Sequence, residues 1–268
     1  DITFIAGTVY KTKDIDGIYD SIELPSYDSM KANSKEYAKS FAIQYQNTDF
    51  CNGKRLIEPY PNNIYVVQNP PQTPLTTQEM DDIYALPYMR TYHPSYEAEG
   101  GVPAIAEIKF SLISNRGCFG GCSFCAIAAH QGKQIASRSE ASILAEVRDL
   151  AQRDYFKGHI SDLGGPSANM YQMHGRDSSL CIKCQRDSCI FPQKCKNLIA
   201  NHFPLINLYK KAALVSGVRH ITIGSGIRYD MLLTEDSAED LANGYTEYLN
   251  QVVANHVSGR LKVAPEHT

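Results

Sequence analysis

The sequence predicts an α/β protein in which parallel strands alternate with helices after residue 100, preceded by a smaller α+β region. Between residues 105 and 268, apolar periods of two and of about 3.6 residues alternate along the chain. This pattern indicates strand, helix, strand, helix, strand, helix and strand, which implies parallel pairing with right-handed crossovers. Glycines, cysteines and charged residues follow the predicted strands, where parallel folds place their sites.

The smaller region, residues 1–100, shows fewer elements. The segment "MKANSKEYAKSFAIQY" predicts one helix, "NNIYVVQ" a strand, and "PPQTPLTTQEMDDIYALP" a proline-bounded connection with a short helix. The segment "EAEGGVP" marks the boundary with the second region, residues 101–268. The first region carries no recognisable chemistry, and we interpret its many tyrosines as packing residues because buried aromatic rings dominate core area.

The second region begins with a strand and a helix on either side of a cysteine loop. Residues 105–114, "IAEIKFSLIS", alternate between apolar and polar side chains as a strand does. A helix follows at "SRSEASILAEVRDLAQR", and we expect Ser137 and Glu140 to form a capping box at its start. Its apolar stripe comprises Ile143, Leu144, Val147, Leu150 and Ala151.

Two further helices separate three further strands. The segments "GHISDL", "VRHITI" and "RLKVA" predict the strands. The helix at "NHFPLINLYKKAALVSG" is expected to stop at Gly217, and "SAEDLANGYTEYLNQVVANHVSG" to form a single helix. The predicted buried stripes are Leu205, Leu208, Tyr209, Ala212 and Val215 in the first helix, and Leu241, Tyr245, Tyr248, Leu249 and Val252 in the second.

Unusual residues follow all four predicted strands of the second region. Three cysteines follow the first strand and Gly164-Gly165 the second. Gly224-Ser225-Gly226 follow the third strand, and Pro265-Glu266-His267 the fourth. Because the carboxyl ends of parallel strands share one rim, we expect these loops to form a single site.

Composition excludes several classes of protein. Apolar residues make up 43% of the 268 residues, charged residues 21%, and the net charge of −3 gives no global attraction to nucleic acid or anionic membranes. No apolar stretch approaches the length that spans a bilayer, and no secretory leader is visible, so we expect a cytoplasmic protein. The chain starts without Met and ends at "LKVAPEHT", which suggests a piece of a longer protein, truncated at its C-terminus.

The cysteines fall into two groups that indicate metal rather than disulfides. Cys51 stands alone, and tight spacing without a secretory leader favours metal binding for the rest. Structural zinc normally takes four ligands, whereas the first group has three, which fits a four-iron cluster with one open iron. The first group is Cys118, Cys122 and Cys125; the second is Cys181, Cys184, Cys189 and Cys195. Gly120 and Gly121 let the first loop curl so that backbone N–H groups face sulfur.

The first group also carries a resemblance. Cys-x3-Cys-x2-Cys, with Phe124 before the last cysteine, resembles the radical S-adenosylmethionine (SAM) superfamily. "RGCFGGCSFCAIAAHQGKQIASRS", "DLGGPSANMY", the second cysteine group and "APEHT" together resemble the YgiQ-like family of large iron–sulfur proteins. The resemblance implies a partial parallel (β/α) barrel of the radical SAM type, of which four of six strands are readable here.

The resemblance also implies roles for individual residues. Cys118, Cys122 and Cys125 would hold a 4Fe–4S cluster whose open iron chelates SAM, and reductive cleavage would yield a 5′-deoxyadenosyl radical that abstracts hydrogen. Phe124 would pack beside the adenine. The backbone carbonyls of Gly164 and Gly165 would receive the methionyl ammonium, although Pro166 stands where many members carry an acidic residue. Arg228 is the expected carboxylate partner, and Glu266 lies where the superfamily often contacts the carboxylate or ribose.

The second group has the spacing C-x2-C-x4-C-x5-C between residues 181 and 195, inside a cysteine-rich insertion at about 166–200. Four thiolates suit zinc or a second iron–sulfur cluster alike. Nearby cations would offset the negative charge of a zinc site, or contact nucleic acid; we favour the first interpretation because the whole chain is acidic. These cations are Lys183, Arg186, Lys194 and Lys196.

Two classes of function follow from these observations. The first, which we prefer, is a radical SAM enzyme acting on an unidentified substrate and supplied with electrons by a reductant such as flavodoxin or ferredoxin. The second is a non-catalytic, metal-stabilised binding module, with RNA as a candidate ligand. Iron content and SAM cleavage under strong reductant separate the two.

Overall fold

A computed structural model describes residues 2–264 and residue 266. The first region contains a four-stranded sheet, in the order β1, β4, β3, β2. Its central pairs are antiparallel, whereas β2 runs parallel to β3 at its edge. The strands are β1 (Val9–Thr12), β2 (Ser21–Glu23), β3 (Arg55–Tyr60) and β4 (Ile64–Gln68). The strand predicted from "NNIYVVQ" is therefore β4, and the other three strands of the sheet had no comparable signal.

The helices of the first region differ from the predicted single helix. Helices α1 (Tyr27–Ala32) and α2 (Ser34–Gln46) are separated at Asn33, which ends one helix and caps the next. The Asn33 side chain accepts the N–H of Lys35 at 3.0 Å, because a short amide competes with the backbone for local hydrogen bonds. Helix α3 (Thr77–Tyr84) lies inside the predicted connection and opens with a capping box of Thr76 and Glu79.

The second region combines short strands with longer helices. A 3-10 helix (Pro94–Glu99) precedes it, and another (Tyr229–Met231) follows the last strand. The strands are β5 (Ser111–Ile113), β6 (Asn115–Arg116), β7 (Ala136–Ser137), β8 (His159–Ile160), β9 (Asp162–Gly164), β10 (His174–Gly175), β11 (Leu198–Ile199) and β12 (His220–Ile221). The helices are α4 (Ile105–Ile108), α5 (Ile127–Gln131), α6 (Glu140–Ala151), α7 (Ser178–Ile182), α8 (Phe203–Ala213), α9 (Ser237–Asn243) and α10 (Tyr245–Asn255).

Strands that follow one another through a helix pair in parallel. Strand β5 pairs with β9, and β8, one residue before β9, pairs with β12. Beyond β12, Ile227 forms a parallel bridge with Val263, inside the fourth predicted strand. The protein is thus a mixed α/β fold of small sheets, with the carboxyl ends of these strands on one side.

The core of the second region lies between these strands and helices α6, α8 and α10. Helix α8 contacts both α6 and α10, and it also contacts β12. The apolar side chains that fill this layer have almost no exposure, so the helices cover one face of the strands. The fully buried members include Ile143, Val147, Leu150, Ile160, Leu163, Ile206, Leu208, Tyr209, Ala212, Tyr248 and Val252.

The prediction of one helix at 237–259 was wrong. Gly244 has φ 69°, a left-handed conformation that ends α9 and starts α10. The stripe therefore splits: Tyr245 and Tyr248 are buried, while Leu241 is 80% and Leu249 41% exposed. Leu241 falls on the solvent side because it lies in α9, before the break, whereas Leu249 shares α10 with the buried residues and lies at the edge of their stripe.

Three predicted boundaries also shift. The residues Ile105–Ile108 form α4 instead of strand, because Ala106 and Glu107 already donate backbone bonds three residues back. Helix α6 is capped by Ser139, whose hydroxyl accepts the Ser142 N–H at 3.1 Å, so the predicted box of Ser137 and Glu140 does not form. Helix α8 ends at Ala213, and Gly217, at φ 94°, turns the connection that follows.

None of the helices in the described part of the chain is both long enough and apolar enough to cross a membrane. Of the predicted rim residues after the fourth strand, Glu266 is described, whereas Pro265 and His267 lie outside the described residues.

Candidate metal centre

The first cysteine group lies on the loop between β6 and α5, at the carboxyl end of the first parallel strand. The Cys118 N–H donates to the carbonyl of Gly132 at 3.0 Å, and the Cys125 N–H donates to that of Cys122 at 3.1 Å. These bonds close the loop against the segment that follows α5. The Cys118 sulfur lies 3.7 Å from the hydroxyl of Ser167, three residues after Gly164 of β9.

The three thiols lie in different surroundings. Cys118 and Cys122 are buried at 7% and 9% exposure, whereas Cys125 is partly buried. A Cβ on Gly120 would lie 3.3 Å from the Cys118 sulfur and 3.4 Å from the Cys122 sulfur, so both thiols turn toward this glycine. The Gly120 N–H donates to the Cys118 sulfur at 3.4 Å, and the Ile127 N–H to the Cys125 sulfur at 3.5 Å. Backbone donors therefore face sulfur, as expected.

Arg228 stands against the same loop. It is 1% exposed, its Nη1 donates to the Cys122 sulfur at 3.3 Å, and its Nε and Nη2 bond both oxygens of Asp230. Burial disfavours the charged guanidinium, yet Asp230 and Cys122 outweigh it and raise the pKa of Arg228. Burial raises the pKa of Cys122, Arg228 opposes this shift, and nearby Glu266 adds to it. The predicted carboxylate-binding arginine is thus bound to a thiol.

The donor set fits a cluster better than a single ion. Among the residues that the structure describes, no three His, Cys, Asp or Glu side chains surround one point closely enough to hold a metal ion. In an iron–sulfur cluster each thiolate binds a different iron, so the sulfurs do not need to converge on a point. Cys118 and Cys122, buried around a bare glycine and faced by N–H donors, match that requirement.

A cavity of about 210 Å³ adjoins the cysteine loop. It is smaller than a site for a whole drug-sized ligand and fits an amino-acid-sized group. A Cβ on Gly165 would lie 2.6 Å from the Asn115 side-chain oxygen, so only a glycine fits there. The Asn115 side-chain nitrogen is buried without a hydrogen-bond partner among the described residues. The cavity is lined by Ser111, Leu112, Ile113, Asn115, Arg116, Ile127, Gln131, Asp162, Gly164, Gly165 and Pro166.

The two predicted carbonyls of this cavity are not equivalent. The Gly164 carbonyl accepts the Ser114 N–H at 2.7 Å and lies 3.0 Å from the Ser114 hydroxyl. The Asp162 carboxylate accepts the N–H groups of Gly224 and Ser225 and the Ser225 hydroxyl. The second and third glycine loops are thereby joined, which leaves Gly165 and Asn115 as the groups to consider for a ligand.

Phe124, expected beside an adenine, is 73% exposed. It lies on the outer part of the cysteine loop, away from the lining of the cavity. Burial of this ring would require a ligand or another part of a longer chain to cover it.

The second cysteine group occupies α7 and the loop after it. Asn197 donates to the Cys181 sulfur at 3.3 Å, the Arg186 N–H to the Cys184 sulfur at 3.5 Å, and the Cys195 N–H to the Cys189 carbonyl at 2.7 Å. Burial, and then the thiols of the other three members, raise the pKa of Cys189 to about 11. The four thiols therefore influence one another electrostatically without converging on one point among the described residues, and metal binding would have to release their protons. All eight cysteines of the chain are free thiols.

The two cysteine loops contact each other. The Phe119 carbonyl accepts the Cys189 N–H at 3.0 Å and the Ser188 hydroxyl at 3.4 Å. Gly121 has φ +63°, and its α-carbon lies so close to the Asp187 carbonyl that a side chain would collide. Residues 187–189 of the second loop thus pack directly against Phe119 and Gly121 of the first loop.

The first region also reaches both loops, which sequence reasoning missed. Asn52 donates to the Cys184 carbonyl at 3.4 Å. Burial, Asp49 and then Cys181 raise the pKa of Cys51 to about 11, and burial, Asp187 and Cys122 raise the pKa of Tyr45. No motif could reveal the Asn52 contact, because it joins segments 132 residues apart.

A larger groove, of about 800 Å³, lies elsewhere. It is formed by the ends of α6 and α8 and by the turn at Gly217, at the opposite end of the strands from the cysteines. Its lining contains Arg148 and Lys211 but no cysteine, and no charged side chain of it is fully buried. Although this groove is larger, the smaller cavity beside the cysteine loop is the better candidate for the functional site.

Comparison with known proteins agrees with the motifs. A family model described as "Radical SAM N-terminal" matches residues 1–111. UPF0313 proteins of Clostridium botulinum (strain ATCC 19397 / Type A), Bacteroides thetaiotaomicron and Methanocella arvoryzae are 45%, 47% and 45% identical to this chain over 98%, 93% and 100% of it.

The chain covers 39%, 40% and 42% of these relatives, so it spans about two fifths of the length of the curated relatives it matches. The matched stretches cover nearly the whole chain and so include both regions. The chain therefore belongs to the YgiQ-like UPF0313 family, a radical SAM-like family.

Proposed function

We propose that this chain is the SAM-cleaving part of a radical SAM enzyme, holding a 4Fe–4S cluster through Cys118, Cys122 and Cys125. The observation that supports it most is the buried pair Cys118 and Cys122 around Gly120, together with a cavity into whose lining Asn115 brings a side-chain nitrogen without a partner among the described residues. The cluster, when bound, supplies the electron that cleaves SAM to methionine and a 5′-deoxyadenosyl radical.

The residues of the chain bind and orient. Gly120 and Ile127 donate N–H groups to two of the thiols, and Arg228 places a positive charge on the third. Because reduction would add one negative charge to a cluster held by these thiolates, all three contacts would stabilise its reduced state. Burial of Cys118 and Cys122 also keeps water away from the metal.

The amino-acid end of SAM is proposed to occupy the cavity of about 210 Å³. The support is the bare backbone at Gly165 and the orphaned donor of Asn115, which could bond a carboxylate oxygen. Asp162, although already bonded to Gly224 and Ser225, contributes a negative charge for the ammonium. Glu266 and Phe124 remain proposed contacts to the ribose or carboxylate and to the adenine.

The test is anaerobic reconstitution with iron and sulfide, followed by a 5′-deoxyadenosine assay under strong reductant. The protein should bind four irons at the first group and release 5′-deoxyadenosine, and the Cys118/Cys122/Cys125→Ala triple variant should do neither. Cys51→Ala, which removes a thiol outside both groups, is the control. Iron binding without SAM cleavage would favour the metal-stabilised binding module, and RNA binding by that protein would then be measured.

The second group is proposed to hold one further metal centre through Cys181, Cys184, Cys189 and Cys195. The support is the mutual influence of their thiols and the N–H and amide donors that already face two of the sulfurs. Elemental analysis of the first-group triple variant distinguishes the candidates: one zinc indicates a structural site, and four irons indicate an auxiliary cluster. A variant that contains neither zinc nor iron would refute the proposed second site.

The remaining proposals concern the whole protein. Successive parallel pairing of β5 with β9, β8 with β12, and Ile227 with Val263 supports a partial (β/α) barrel in residues 101–268, preceded by an N-terminal region at 1–100. A flavodoxin or ferredoxin is the proposed electron donor, in the cytoplasm. Reduction of the reconstituted protein by purified flavodoxin, followed by absorbance, tests the donor.

A further inference from the structure

We infer that Arg228 is a positioning residue for the metal centre itself, and that its guanidinium bond to the Cys122 sulfur raises the reduction potential of the cluster bound there. This inference rests on the proposed function of the first cysteine group. It replaces the role that the resemblance implied, in which Arg228 would bind the carboxylate of SAM.

The contacts of the guanidinium carry the argument. Nη1 donates to the Cys122 sulfur at 3.3 Å, and Nε and Nη2 form a fork onto Asp230. Arg228 does not line the cavity beside Gly165, and its side chain is 1% exposed. All three guanidinium nitrogens already have partners: two bond the Asp230 carboxylate and one bonds the Cys122 sulfur. The buried side chain is therefore oriented toward the thiol.

Gly120 makes room for this contact. A Cβ at Gly120 would lie 2.6 Å from Nη1 of Arg228, so any other residue would displace the guanidinium or the thiols beside it. The glycine in the Cys-x3-Cys loop therefore has two tasks, since its N–H also faces the Cys118 sulfur.

A buried hydrogen-bond network holds the arginine backbone from behind. The Asn169 amide accepts the Arg228 N–H at 2.8 Å and donates to the Arg228 carbonyl at 3.0 Å. Asn169 also lies 3.2 Å from Nε2 of His202, whose Nδ1 lies 2.9 Å from the Ala200 carbonyl. Because burial lowers the pKa of His202 to about 4, the ring is neutral, donates from Nδ1 and accepts the Asn169 amide at Nε2.

The electrostatic consequence follows from the sign of the charge. A reduced cluster carries one more negative charge than an oxidised one, and a cation in a low-dielectric site stabilises it selectively. Asp230, on the far side of the guanidinium, weakens this effect because its charge is opposite. Removal of Arg228 and removal of Asp230 should therefore move the potential in opposite directions, which a merely structural pair would not do.

The experiment measures iron content and the ratio of reduced to oxidised cluster at a fixed potential, by electron paramagnetic resonance. Arg228→Met should bind iron but lower that ratio at least tenfold, equivalent to about 59 mV for one electron. Asp230→Asn should raise the ratio severalfold. Arg228→Lys, which keeps the charge but loses the fork, should fall between the wild type and Arg228→Met and remains informative if the Met variant does not fold.

Arg138→Lys is the matched control, because Arg138 is equally buried and bonds Glu146 and Ser142 rather than a cysteine. The inference would be overturned if Arg228→Met and Asp230→Asn both gave ratios within twofold of the wild type. It would also be overturned if Arg138→Lys changed the ratio as much as Arg228→Lys. Either result would leave the proposed iron site intact. Weaker SAM binding with an unchanged ratio would restore the carboxylate role. A wild-type protein that takes up no iron would overturn the proposed function, and the inference with it.

Discussion

The two cysteine groups differ in what holds them. Around the first, two sulfurs have local backbone donors, but the side-chain partners come from distant parts of the chain: Arg228 bonds Cys122, and Ser167 lies 3.7 Å from the sulfur of Cys118. Around the second, the partners of the sulfurs are local, since Asn197 and Arg186 lie within the same insertion. The first group is buried by the surrounding fold. The second has short-range hydrogen bonds to its sulfurs, which is typical of a loop that is ordered by a bound metal.

The difference indicates that the two sites acquire order in different ways. The first thiols are positioned by strands and by a buried arginine, so their geometry depends on the whole core. Of the second group only Cys189 packs against a buried apolar cluster, the one that contains Phe119 and Ile190, so metal binding energy would become local folding energy for the other three cysteines. The bond between Phe119 and Cys189 is where one site can affect the other.

The largest expected effect breaks the first group alone. The Cys118/Cys122/Cys125→Ala triple variant should lose all iron at the first site and keep the full metal content of the second, because the second group takes its sulfur donors locally. Plasma mass spectrometry of the purified protein measures both metals. Parallel loss of both would mean that the second site also depends on the first.

The reverse change should have a smaller, graded effect. Cys184→Ser/Cys189→Ser should abolish the second metal and lower iron affinity at the first site by about tenfold, a typical cost of disturbing an outer-shell partner. The reason is that the Cys189 N–H and the Ser188 hydroxyl both bond the Phe119 carbonyl. Iron titration followed by absorbance measures the affinity. Cys51→Ser is the control, and equal affinities in all three proteins would show that the sites are independent.

A larger side chain at Gly120 should destabilise the first cysteine loop without affecting the second. Gly120→Ala should cost about 1–3 kcal/mol of unfolding free energy, because the new Cβ would overlap the Arg228 guanidinium. Gly224→Ala is the control, since the neighbours of its Cβ begin at 3.4 Å, an ordinary contact. Urea denaturation of the metal-free proteins compares the two. A Gly224 variant as destabilised as Gly120→Ala would contradict the steric explanation.

The smallest expected effect is a pH dependence of the support behind Arg228. His202 has a pKa of about 4 in the folded protein against 6.5 in the unfolded chain, because burial disfavours the imidazolium. The folded state therefore binds fewer protons between these two values, and stability falls as the pH is lowered through that window. The loss from pH 7 to pH 5.5 should be about 1 kcal/mol.

Urea unfolding of the metal-free protein at several pH values measures this loss. His202→Gln removes the titrating group while leaving an amide that can bond Asn169, so its stability should depend less on pH. An identical pH slope in the variant would assign the effect to other groups, such as His256, whose pKa burial also lowers.

The metal-binding chemistry of the candidate site could be predicted before the fold was known, because it follows from the spacing of the cysteines along the chain. Three thiols within eight residues and four within fifteen predict metal wherever the chain folds. The parallel pairings after residue 105 were also predictable, since apolar periodicity reports which faces are buried. Three strands of the first region's sheet were missed, because β1 and β2 are short and partly exposed and the six residues of β3, RLIEPY, do not alternate between apolar and polar.

The errors have a common cause. Leu241 looked buried because helical periodicity was extended across Gly244, and Ser137 looked like a cap because it precedes Glu140 by three residues. The structure uses the Ser137 hydroxyl instead to accept the Gln172 N–H at 2.9 Å. A local pattern cannot report a partner that arrives from another segment.

By itself, the sequence determined which residues are thiols, which glycines stand between them, and where strands and helices alternate. Only the tertiary structure decided that Arg228 faces Cys122, that Asn169 holds its backbone, and that Phe119 joins the two cysteine loops. The physical reason is range. Spacing and periodicity encode contacts within a few residues, whereas the buried Arg228 is held by neighbours 59 and 106 residues away, whose proximity exists only after the strands have paired.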